Sequence, residues 1–79
     1  MKKNDIGMLL GEIPCLVSDA FYNLMSQTGR CPRFSSVFKI VKENLKMQGI
    51  DYKVLNERDK FEIETMARDA FDGIKEAEC

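Results

Sequence analysis

Histidine is missing altogether from the 79 residues of this chain. A structural zinc site takes its ligands, normally four, from Cys and His. The three cysteines, Cys15, Cys31 and Cys79, contain no CxxC pair, so no metal site is expected. The same absence removes the side chain best suited to act as a general base at neutral pH. There is no Gly-rich phosphate loop, no GxSxG and no metal-binding cluster. Cys15 or Cys31 as a nucleophile would need a base and an orienting group, and neither is evident. The many carboxylates of the last third fall on a helix face open to water, which supplies no catalytic pocket. The expectation is a non-catalytic protein without a cofactor.

Other shortages narrow the class. Two prolines and five glycines are too few for a low-complexity chain, and a hydrophobic share of 44% is too high for intrinsic disorder. No apolar run approaches the roughly 18 residues of a membrane span. The opening MKKN is followed by a run broken at Asp5, Gly7, Gly11 and Glu12, with no A-x-A site, which speaks against a secretory leader. An odd number of cysteines leaves one over in any disulfide framework. Reduced thiols in a cytoplasm are the simpler expectation, with the last residue, Cys79, frayed and prone only to adventitious intermolecular bonds. A chain of this length forms one domain, residues 1–79, and buries only roughly 60–65% of its unfolded surface. Small cores of this kind often gain stability from self-association or a partner.

What is present is helical periodicity, predicting an all-α, compact bundle of about four short helices. Residues 4–12 form a first short helix or a loosely held N-terminal arm, with Asn4 as cap and Ile6, Leu9, Leu10 and Ile13 on one side; Gly7 and Gly11 weaken it. Pro14 suits the first position of a second helix, which carries Leu16, Val17, Ala20, Phe21, Leu24 and Met25 on one half and stops at Gly29. Pro32 separates it from the third helix, capped by Ser35 or Ser36 and running over residues 34–50. This third helix is the centre of the fold. Phe34, Val37, Phe38, Val41 and Leu45 share one broad arc, and Lys39, Lys42 and Lys46 share the opposite side. The connector 51–55 brings Tyr52, Val54 and Leu55 against the core. Asn56 caps the fourth helix, whose stripe is Ile63, Met66, Ala67, Ala70, Phe71 and Ile74; Glu62, Asp69, Asp72 and Glu76 line its outer face.

The formal net charge is −1, but its distribution is uneven. Residues 30–56 carry Arg30, Arg33, Lys39, Lys42, Lys46 and Lys53 against Glu43 and Asp51, whereas residues 57–79 carry four basic and eight acidic side chains. The candidate partner-binding residues are therefore Arg30, Arg33, Lys39, Lys42 and Lys46. The function expected is a module that binds another macromolecule, most often a protein, as a small regulatory, inhibitor or accessory protein, or that self-associates. The alternative is a nucleic-acid-binding, helix-turn-helix-like domain using the basic helix. That motif fits badly. With Gly29 as the turn glycine, Met25 stands where a small residue belongs, and Thr28, Arg30 and Ser35 stand where apolar residues belong. No aromatic residues interleave the basic set in a platform for single strands, and the slightly negative net charge provides no general attraction to phosphate.

Overall fold

The computed structural model describes residues 4–79, with side chains from residue 10 onward. Three α-helices follow one another among the described residues: α1 (Asn4–Thr28), α2 (Phe34–Met47) and α3 (Glu57–Glu78), with a 3₁₀ turn, Tyr52–Val54, between the last two. α1 packs against both other helices, while α2 and α3 touch each other less. At about 1.5 Å per residue, the 25 residues of α1 account for the long dimension of the molecule, 38 Å.

The two N-terminal helices expected from Pro14 are one helix, and this corrects the count of four. Pro14 lies inside α1 with its ring exposed. It forfeits one backbone hydrogen bond to the Leu10 carbonyl. An apolar stripe runs across that break: Leu10, Ile13, Val17, Ala20, Phe21 and Leu24 follow the i, i+3, i+4 spacing, and Ile13, Val17 and Phe21 are completely buried. Burial on both sides of the proline holds the helix together. The side chains of Asn4, Ile6 and Leu9 lie outside the described residues.

The remaining boundaries follow local chemistry. α1 stops at Gly29, whose φ of 72° is the left-handed conformation that glycine adopts without strain, and its N–H donates to the Met25 carbonyl. α2 begins two or three residues earlier than its serines suggest. Its N-cap is Arg33, with no side-chain cap, so Ser35 and Ser36 lie within the first turn. α2 ends in a Schellman arrangement: Gly49, φ 93°, donates to the Lys46 carbonyl, and Ile50 N–H donates to the Leu45 carbonyl. Asp51 accepts a hydrogen bond from the Lys53 N–H and starts the 3₁₀ turn, so this connector is not extended. Tyr52 and Leu55 pack on the core, but Val54 points to water at 77% exposure. Asn56 Oδ1 accepts from the Asp59 N–H at 2.8 Å and caps α3.

The core is wholly apolar among the described residues: Ile13, Val17, Ala20 and Phe21 from α1, Val37, Phe38, Val41 and Leu45 from α2, and Ile63, Ala67 and Phe71 from α3. Leu24 and Ala70, expected to be largely buried, are half-buried at its edge. A line of rings joins the elements. Phe21 meets Phe71 at 5.7 Å, Phe71 meets Phe34 at 5.6 Å, Phe34 stacks on Phe38 at 5.3 Å, and Phe38 meets Tyr52 edge-on at 5.4 Å.

The cysteines also differ from expectation. Cys31 in the α1–α2 connector and Cys79 beyond the end of α3 form a disulfide, with Cα atoms 6.5 Å apart, while Cys15 is free and exposed on α1. The expectation of three reduced thiols is therefore corrected. Packing α3 along α1 returns its C-terminus to the connector, a proximity that cysteine spacing does not reveal. Near the same end, the Tyr22 hydroxyl donates to Glu78 Oε2 at 2.9 Å.

Candidate functional site

The five candidate basic residues occupy two places. Lys39, Lys42 and Lys46 recur along one exposed face of α2, which the helical repeat demands. Arg30 and Arg33 lie at the other end of that helix. They line a separate depression of about 410 Å³ with Leu24, Thr28, Cys31, Pro32 and Ser36. Arg33 and Lys46 are about 20 Å apart along the α2 axis at 1.5 Å per residue. The proposed set is thus not one surface.

The lysine group is more elaborate than sequence suggested. Lys39, Lys42, Glu43 and Lys46 of α2 form one wall of a cleft of about 350 Å³, and Asp51, Tyr52 and Lys53 form the other. The Schellman stop at Gly49 turns the chain back, and the Asp51 side chain fixes the 3₁₀ turn that presents Tyr52 and Lys53. Tyr52 is held by its ring against Phe38 and by its hydroxyl, which donates to the Lys60 carbonyl at 3.3 Å. The Lys42 ammonium lies 5.3 Å from the Phe38 ring centre and 5.6 Å from that of Tyr52, so this cation sits over an aromatic pair of which Tyr52 lines the cleft. Lys53 and Tyr52 were absent from the candidate set. The basic composition of residues 30–56 includes Lys53, but only the turn brings it to face α2.

The electrostatics of the cleft are unbalanced. Among the described residues the one ion pair is Arg58 with Glu62 on α3, at 3.9 Å; no lysine of the cleft is paired. Burial, followed by the nearby carboxylates of Glu64 and Glu57, raises the Tyr52 phenol above its ordinary value, so it stays a neutral hydrogen-bonding group. Nothing in the cleft pairs a nucleophile with a base. Among the described residues no group of three or more His, Cys, Asp or Glu side chains could hold a metal ion, and no helix is long and apolar enough to cross a membrane. Comparison with known protein families, curated proteins and solved structures gives no match.

Proposed function

We propose that this chain is a non-catalytic helical module that binds an acidic protein surface through the cleft of Lys39, Lys42, Lys46 and Lys53. One observation carries this reading: four lysines, unpaired among the described residues, line one cleft with Tyr52, whose ring packs on the buried Phe38. A partner helix with carboxylates one turn apart and an apolar side chain between them would engage both features. A phosphate backbone would engage only the charge, and it would meet Glu43 and Asp51 in the same cleft. Lys39 to Lys46 spans only about 10 Å of helix, a short track for duplex phosphates. The arginines at the far end of α2 do not extend it. The cytoplasmic setting expected from unpaired cysteines loses that support once Cys31 and Cys79 are bonded; the cleft is indifferent to it.

The test is fluorescence anisotropy with three labelled probes: a Glu-rich helical peptide carrying one Phe, duplex DNA and duplex RNA. Saturable binding of the peptide near physiological salt is expected, lost in K39Q/K42Q/K46Q, with no saturable binding of either nucleic acid. Micromolar binding of DNA or RNA that disappears in the same variant, with a salt slope reduced by about 0.9 per lost phosphate contact, would overturn the reading in favour of a nucleic-acid-binding domain.

A further inference from the structure

We infer that the partner surface for the lysine cleft is the outer face of α3 on a second copy of this chain. This rests on reading the cleft as a protein-docking site and names its occupant. Lys39, Lys42 and Lys46 recur at i, i+3 and i+7 on α2; Asp69, Asp72 and Glu76 recur at the same intervals on α3, and all six are exposed. At about 100° per residue each trio stays within an arc of roughly 60° and spans about 10 Å, so the two rows match in width and length. None of the six is in an ion pair among the described residues. Two cations of α3 flank the acidic row without pairing with it, and one of them, Arg68, lines the same depression as Asp69 and Asp72. The Arg68 guanidinium lies 4.3 Å from the Phe34 ring centre and the Lys75 ammonium 6.0 Å from that of Phe71, both drawn towards the core side of the helix.

Apolar groups decide the direction of docking. Phe61 is 70% exposed and shares a depression of about 310 Å³ with Glu64, Thr65, Arg68, Asp69 and Asp72, so it continues the acidic row towards the start of α3. Met47, 86% exposed, directly follows the lysine row at the end of α2, and Val54, 77% exposed, belongs to the 3₁₀ turn that forms the other wall of the cleft. With the helices antiparallel, Lys46 faces Asp69, Lys42 faces Asp72 and Lys39 faces Glu76. Phe61, eight residues before Asp69, is then carried about 12 Å past Lys46, beyond the Met47 end of α2. A parallel arrangement carries Phe61 instead into the connector before α2, level with Cys31 and next to the arginines, and leaves Met47 without an apolar neighbour. The antiparallel contact brings Phe61 and Met47, two of the large side chains left exposed, to the same end of the interface. It joins different patches on the two copies. A two-fold arrangement would close both contacts in a dimer, and any other would repeat into longer assemblies.

Sedimentation velocity of the disulfide-intact chain at low and high salt tests this. Self-association that weakens with salt is expected, because the contacts are exposed ion pairs. K39E/K42E/K46E and D69K/D72K/E76K should each be monomeric, and their equimolar mixture should associate again through restored opposite charges. F61A should weaken association by about ten-fold, as an apolar anchor does. Circular dichroism checks that each variant folds; if a reversal variant does not, the neutral sets K39Q/K42Q/K46Q and D69N/D72N/E76Q replace it and should also be monomeric. A wild-type chain that stays monomeric at millimolar concentration and low salt overturns the inference, as does association unchanged in D69K/D72K/E76K. Binding of the Glu-rich peptide by such a monomer would leave the cleft as a docking site for a different acidic protein. A monomer that also ignores the peptide would remove both readings.

Discussion

Phe71 contacts Phe21 and Phe34 and is 5% exposed, so it joins α3 to both other helices. Phe71→Ala is expected to cost about 3–5 kcal/mol in a urea titration, and a loss below about 0.5 kcal/mol would remove it from the core. Tyr52 makes a different prediction. Its phenol is raised by burial and then by Glu64 and Glu57, and the Tyr22 phenol is raised chiefly by its hydrogen bond to Glu78. An acid with a higher pKa in the folded state holds its proton more tightly there. Its contribution to stability is intact below the unfolded value, about 10, and is lost as pH rises through the folded value. Neither tyrosine therefore adds pH dependence near neutrality. Stability should fall more gently above about pH 10 in Tyr52→Phe than in wild type, as measured by denaturant midpoints across alkaline pH; superimposable alkaline slopes would contradict this. At this scale the helical arcs correctly placed Phe21, Val41, Leu45 and Phe71 inside. Phe61 falls off the α3 stripe by the same spacing, and it is 70% exposed among Glu64, Thr65 and Arg68 of its own helix.

α1 shows how two local rules compete. Proline is a strong helix boundary signal, and residues 4–12 with two glycines make a weak helix by themselves. The apolar spacing through Leu10, Ile13 and Val17 was equally readable, and burial of that stripe outweighs one missing hydrogen bond. Pro14→Ala should therefore stabilise the protein by about 1–3 kcal/mol, because it restores a donor in a helix interior whose ring position is exposed. An unchanged or lower denaturation midpoint would argue that α1 is broken at this point. Gly29→Ala should cost about 1 kcal/mol, from the left-handed backbone alone, since nothing lies within 4 Å of an added Cβ. The glycine stops and the Asn56 cap were legible because each acts within a single turn. The α2 start was misjudged because serine preference is a weak guide when Pro32 and the Phe34 ring, packed on Phe38 and Phe71, already set the entry of the chain.

Across the whole molecule, the Cys31–Cys79 bond closes a loop of 48 residues. Loop-closure entropy values such a crosslink at roughly 4 kcal/mol. Reduction, or the double substitution Cys31→Ser with Cys79→Ser, should lower the thermal midpoint and expose the end of α3 to carboxypeptidase. Equal stability of the oxidised and reduced chains would show that the bond closes nothing that packing has not already closed. The charge asymmetry also acquires a physical form at this scale. The basic middle of the chain becomes one cleft between α2 and the 3₁₀ turn, separate from the arginines at the far end of α2. The acidic end becomes the outer face of α3.

The all-helical class, most core positions, the helix stops and the lysine row were determined by sequence alone. Each depends on interactions within one helix or one turn, where spacing along the chain equals spacing in space. The union of two helices into α1, the pairing of Cys31 with Cys79 and the arrival of Tyr52 and Lys53 opposite Lys42 were decided by tertiary structure. Those features depend on which apolar faces meet and where the connectors then lead. Two residues 48 positions apart carry no local sign that packing α3 along α1 will bring them together.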